Sequence, residues 1–171
     1  MQGFTMTELV VVIVLLGIIS AVAMPRFANT DLIRDRGFKD DVVNLVRYAK
    51  KVAIASGCDM EVQFENTAKI VRLQHHDTDC RWSTGNADNS FTVAMPHPSS
   101  ENHPVYGTDY VVESTTALTV PNVLVRFDKY GRPWQGQNQR TYLTASLNIA
   151  FGGCTLRIEP ETGFAAYTAS C

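Results

Sequence analysis

The sequence predicts an α+β chain: a long, bent N-terminal helix, transmembrane in its first half, packed on an antiparallel β-sheet globular domain. Three observations carry this expectation. An apolar run from Leu9 to Met24 stops at Pro25, apolar residues then recur at helical spacing as far as Ser56, and from Asp59 onward the period falls to two.

The first stretch contains only Thr5, Thr7, Glu8 and Ser20 as polar side chains between Phe4 and Ala23. As a helix it is roughly 30 Å long, about one bilayer core. Val and Ile would suit a strand in water, but a lone strand in lipid leaves its backbone unsatisfied, so a helix is expected. Pro25 lacks an N–H and restricts Met24, which ends or kinks that helix. Glu8 is the anomaly, because a mid-membrane carboxylate costs roughly 2.5–3.5 kcal/mol and less near the end. Either it sits at the interface beside the positive helix N-terminus, or it meets a cation. No Lys or Arg precedes it, so that cation is an α-amino group, its own or a neighbour's.

After Pro25, Asn29-Thr30-Asp31 supplies N-cap chemistry for a second helix. Phe38, Val42, Leu45, Ala49 and Val52 mark one face, a seat for a sheet, and Lys39, Asn44, Arg47 and Lys50-Lys51 fall largely elsewhere. Gly57 is the expected C′ residue, with a cationic last turn, and Gly37 weakens the middle by up to about 1 kcal/mol relative to Ala. Short strands are expected at Met60–Phe64 and Lys69–Leu73, joined by a turn at Glu65-Asn66-Thr67. Others are expected at Phe91–Met95, Asp109–Glu113, Val123–Phe127 and Tyr142–Ile149. A closing hairpin runs from Cys154–Ile158 through Pro160-Glu161-Thr162-Gly163 to Phe164–Thr168. The polar stretch His75–Ser90 and the proline-rich Pro96–Pro104 read as loops.

The chain has 171 residues, 15 basic and 17 acidic, with formal net charge −2 and no block of like charge. This gives no footprint for nucleic acid or an anionic membrane surface. Removing an N-terminal span leaves about 115–145 residues, enough for one compact domain.

The stretch Gly3-Phe4-Thr5-Met6-Thr7-Glu8-Leu9, followed by the apolar helix and Pro25, resembles the class III signal of type IV pilins and type II secretion pseudopilins. The resemblance covers about the first 25 residues. It implies cleavage between Gly3 and Phe4 by a prepilin peptidase and N-methylation of Phe4. It also implies that Glu8 pairs with a neighbouring subunit's N-terminus and that Pro25 interrupts the helix during assembly. Family leaders carry Lys or Arg, and Met1-Gln2-Gly3 has neither. Either the initiator amine is the only leader charge, or the start lies upstream. The tail, with Phe127-Asp128-Lys129-Tyr130-Gly131-Arg132 before a hairpin turning at Thr162-Gly163, resembles the minor, H-type pseudopilin branch. Val10–Gly17 and Met24-Pro25-Arg26-Phe27 look closest to minor pilins of the mannose-sensitive haemagglutinin pilus.

What the resemblance implies is a pilin-like organisation. Residues 1–3 are leader, 4–25 the transmembrane and assembly half of the helix, 26–57 its amphipathic half, and 58–171 the β-rich periplasmic part. The implied location is the bacterial inner membrane, single-pass, then a pilus or pseudopilus fibre. The implied partners are other pilin subunits, the prepilin peptidase, the inner-membrane assembly platform and the membrane itself. No nucleic acid, cofactor, metal or catalytic residue is expected. The oxidising compartment favours disulfides among Cys58, Cys80, Cys154 and Cys171. Of three pairings, Cys58–Cys80 with Cys154–Cys171 is preferred because each closes a short loop, contributing roughly 3 kcal/mol.

Rival readings leave particular features unexplained. Ordinary signal peptidase cleavage after Ala21-Val22-Ala23 conflicts with the uncharged leader, the length of the run, Glu8 and Pro25. A generic anchor gives Glu8 no role. His75, His76, Asp77, Asp79 and Cys80 are the one cluster of potential metal ligands, but adjacent residues of an extended chain point apart. His97 and His103 sit among prolines, and Asn86–Asn89 lacks the EF-hand spacing. No serine lies in a G-x-S-x-G context. Trp82 and Trp134 suit a core edge or, if exposed, a partner surface. The expected function is a structural minor pilin in pilus assembly or initiation; the alternatives are a type II secretion pseudopilin and a pilus-tip adhesin or DNA-capture module.

Overall fold

A computed structural model of the chain describes residues 5–23, 30–76, 91–96, 98, 110–114, 120–136, 139–151 and 153–168. The chain divides into two compact units, Met1–Arg34 and Asp35–Cys171.

The first unit contains helix α1 (Met6–Ala23) and the first residues of helix α2 (Thr30–Ser56). Here the expected fold class is overturned. Two helices of 18 and 27 residues are described where one long bent helix was expected. Among the described residues no helix is long and apolar enough to cross a membrane. The physical reason is where α1 starts. Thr5 caps it, so Thr7 and Glu8 fall in its first turn. The whole helix then spans about 27 Å, and its uncharged part, Leu9–Ala23, about 22 Å, against a hydrocarbon core of about 30 Å. The pilin-like architecture with a transmembrane segment over residues 4–25 does not hold, nor does the single-pass inner-membrane location built on it.

In the second unit, α2 ends where its sequence directs. Gly57, at φ +72°, donates its N–H to Ala53 O at 3.0 Å, the C′ role expected of it. Lys50 and Lys51 lie before the last turn, which carries no basic residue, a correction to the expected cationic end. Phe38, Val42, Leu45 and Ala49 are buried as their spacing required, joined by Val43, Val46 and Ala53.

The larger sheet contains β1 (Met60–Glu65), β2 (Ile70–His76), β3 (Phe91–Ala94), β4 (Val111–Glu113), β5 (Val123–Phe127), β6 (Pro133–Gln135) and β7 (Thr141–Tyr142). Its order is β3-β2-β1-β5-β6-β7, every pair antiparallel. The outer edge of β2 is shared, with β4 on Ile70–Arg72 and β3 on Gln74–His76, where the register shifts between His75 and His76. The second sheet has order β10-β9-β8 from β8 (Leu147–Phe151), β9 (Cys154–Ile158) and β10 (Ala165–Tyr167).

The β1–β2 hairpin and the closing hairpin lie close to where alternation placed them, except that β2 runs on through His75 and His76, which the sequence assigned to a loop. The single strand expected over Tyr142–Ile149 is instead two, β7 in one sheet and β8 in the other. Alternation along β1 sends Met60, Val62 and Phe64 into a core with α2, Val71, Leu73, Val125 and Phe127, which continues to Ile149, Leu156 and Ile158 of the second sheet. Each such side chain contributes roughly 1.5–3 kcal/mol on burial. Phe91 and Trp134 form a second, smaller cluster with Tyr142 packed against it.

Candidate assembly surface and the buried polar layer

Helix α1 is apolar on every side. From Leu9 to Ile19 its large apolar side chains are between 48% (Val12) and 62% (Ile19) exposed. An amphipathic helix hides one stripe; a helix apolar all round is built to be surrounded. Ser20 does not break the pattern, because its hydroxyl donates to Leu16 O at 2.7 Å within the helix. Glu8 is the only charged side chain in α1.

Glu8 and Thr5 form a reciprocal capping box. Thr5 N and Oγ1 each donate to Glu8 Oε2 at 3.0 Å, and Glu8 N donates to Thr5 Oγ1 at 3.4 Å. The Thr5 backbone N–H, and after it the hydroxyl, hold the Glu8 carboxyl below its ordinary value. Both bonds fall on Oε2, and the second carboxylate oxygen takes no hydrogen bond from a described residue. Gly3, Phe4 and Pro25, the other expected processing and assembly residues, lie outside the described residues.

The second unit contains a buried polar layer that alternation alone does not reveal. Asp59, Glu61, His76, Arg126 and Asp128 are all buried. Arg126 on β5 donates from Nε to Glu61 on β1 at 2.6 Å and from Nη1 to Gly136 O. Its guanidinium lies 4.6 Å from the Phe91 ring centroid and 5.0 Å from that of Trp134. Arg140 pairs with Asp59, and its guanidinium lies 4.8 Å from the Trp134 centroid. Burial pushes the Glu61 carboxyl up, opposed by the charge and hydrogen bond of Arg126.

Asp128 is bound by its own turn. It accepts from Arg132 N and Tyr130 N, each at 2.9 Å, from Arg132 Nη2 at 2.9 Å and from Tyr142 Oη at 3.0 Å. Burial opposes the charge, yet these donors together hold the carboxyl below its usual range. Burial, with Asp41 and Tyr48 behind it, pushes the Tyr110 hydroxyl up to about 12. Each of these carboxylates is bound to a guanidinium, which suits them to structure rather than proton transfer.

The remaining expected residues divide clearly. Cys58 and Cys154 are both buried and disulfide-bonded, while Cys80 and Cys171 lie outside the described residues, as do Trp82, Asp77, Asp79, His97, His103 and Asn86–Asn89. His76 is fully buried edge-on to Phe91, with ring centroids 5.4 Å apart, and His75 Nδ1 lies 2.7 Å from His76 O. Among the described residues no three His, Cys, Asp or Glu side chains are placed to hold a metal ion. Trp134 is wholly buried, which makes it core rather than a partner surface. The pairing of Glu61 with Arg126 was missed because alternation assigns Glu61 to the face opposite Met60 and Val62 without saying what covers it.

Comparison with models of protein families, with curated proteins and with solved structures gives no match.

Proposed function

We propose that the chain is a non-catalytic structural subunit, a minor pilin or pseudopilin, that enters a helical assembly through α1. The observation that carries this reading is an 18-residue helix, apolar and exposed on all sides, with a single carboxylate in its first turn. Packing such helices against one another removes apolar surface at roughly 25 cal/mol per Å². The Gly3–Leu9 signal supplies the chemistry of assembly: cleavage after Gly3 creates an amine at Phe4, four residues before Glu8 in sequence. A carboxylate carried into an apolar bundle is costly unless paired, so Glu8 selects the register in which it meets a neighbour's amine.

The test uses an introduced thiol. Val12→Cys, introduced into the chain expressed in its own cells, is expected to crosslink to another subunit when thiol-reactive reagent is added. Intact mass is expected to begin at Phe4 with one added methyl group. Unprocessed, monomeric protein in cells with functioning pili or secretion overturns the proposal.

A further inference from the structure

A groove of about 460 Å³ opens between α2 and the segment leading into β10, lined by Arg47, Lys50, Lys51, Ile54, Gly163 and Phe164. Its walls are preformed. Arg47 Nε donates to Ala165 O at 2.9 Å, and the guanidinium lies 5.7 Å from the Phe164 ring centroid. Gly131, at φ +76°, lets the helix come close: a Cβ there would sit 2.8 Å from Ile54 Cδ1 and 3.0 Å from Lys50 Cε. Ile54 and Phe164 remain 50% and 55% exposed, a pair of large apolar side chains in a cationic surround.

The charge is one-sided. Among the described residues no carboxylate lines the groove, and α2 has no Asp or Glu from Val42 to Ser56. Lys50 and Lys51 form no ion pair with a described residue. In a chain of net charge −2 this positive patch is local rather than a reflection of composition.

We propose that the groove binds an acidic polypeptide segment of a partner protein. An apolar side chain of that segment seats between Ile54 and Phe164, and flanking carboxylates meet Lys50, Lys51 and the outer edge of Arg47. Charge complementarity steers the encounter, and the apolar pair supplies the anchor. Nucleic acid fits less well. The cations from Arg47 to Lys51 cover only about 6 Å of helix, too short to follow a phosphate backbone, and Arg47 already lies over the Phe164 ring. All lining residues belong to the second unit.

The test is fluorescence anisotropy of a labelled peptide of alternating glutamate and leucine, titrated with the full chain. Salt-sensitive binding is expected, with no binding of the glutamine–leucine counterpart. The double variant Lys50→Gln/Lys51→Gln is expected to weaken it roughly tenfold, and Phe164→Ala to weaken it several-fold, while Lys69→Gln in the β1–β2 turn leaves it unchanged. Circular dichroism identifies any variant that fails to fold. Three results overturn the proposal: no binding at millimolar concentration, equal binding by the double variant, or displacement of the peptide by oligothymidine at lower concentration than by unlabelled peptide.

Discussion

Glu61 and Arg126 are direct cross-strand partners on β1 and β5, and their charges meet at 2.6 Å with both side chains buried. Removing one partner leaves the other charged and dry. Arg126→Met is therefore expected to destabilise the fold by about 3–5 kcal/mol, and the double change Glu61→Leu/Arg126→Met to recover most of that loss. Urea unfolding followed by tryptophan fluorescence measures both. The pH dependence has a definite sign. Burial already raises the Glu61 carboxyl, and loss of Arg126 removes what opposes it. A raised carboxyl favours the folded state when protonated, so the single variant is expected to lose more stability as pH rises above the ordinary glutamate range. A pH-independent loss, or a double variant as unstable as the single, contradicts this account.

Asp128 titrates the other way. Its folded value lies below the ordinary 3.8, so its contribution is present above that value and disappears as pH falls through the lower folded one. Asp128→Asn is expected to cost about 1–3 kcal/mol at neutral pH, since the Tyr130 and Arg132 donors lose a charged acceptor. It should also flatten the acid limb of the stability curve. Arg132 is half exposed, so most of the effect comes from the backbone donors rather than the ion pair. Thermal unfolding between acid and neutral pH checks it: an acid limb unchanged in the variant assigns acid sensitivity to another group.

Gly163 and Gly153 separate crowding from backbone strain. Both have positive φ, +61° and +76°. A Cβ at Gly163 would collide with the Gly131 carbonyl oxygen and come within 3.1 Å of the Phe127 ring, whereas one at Gly153 meets nothing within 4 Å. Ala at Gly153 is expected to cost about 1–2 kcal/mol from conformation alone. Ala at Gly163 is expected to cost clearly more, because the closing hairpin must lift off the 128–131 turn. Equal losses in parallel urea titrations would show that this contact yields easily.

Local pattern made much of this fold legible, and long-range choice made the rest obscure. Met60 to Phe64 alternates cleanly, so β1 and its hairpin to β2 could be read directly; Phe38 to Ala49 likewise announced its buried face. Pro133-Trp134-Gln135 is too short and begins with a residue that normally interrupts strands, so β6 went unread. The division of Tyr142–Ile149 depends on Tyr142 pairing with Trp134 and Leu147 with Ile158, which no local feature states. The N-terminal expectation failed on length. Apolarity marked α1 for burial, but Thr5 and Glu8 set where the helix begins, and that leaves it short of a bilayer core. The capping box is present in the spacing from Thr5 to Glu8, a local partner beside the two expected for Glu8, the helix N-terminus and an α-amino group.

The Thr5–Glu8 capping box sharpens the test of Glu8, because its carboxylate has a local role beside the one proposed for it in assembly. Locally it accepts from Thr5 N and Oγ1, which a glutamine oxygen also does in a capping box. In an assembled bundle it must match a cation, which glutamine cannot do. Glu8→Ala removes both roles, loosening the helix start, whereas Glu8→Gln removes the charge alone. If capping is the whole function, the glutamine variant behaves as the parent and only alanine is impaired. If a neighbour's amine is the partner, both variants strand a buried cation and weaken assembly alike. We expect the second result: Val12→Cys crosslinking lost to a similar degree in both backgrounds, with cleavage before Phe4 and the fold of the second unit unchanged. Full crosslinking in Glu8→Gln, beside weakened crosslinking in Glu8→Ala, would reduce Glu8 to a helix cap.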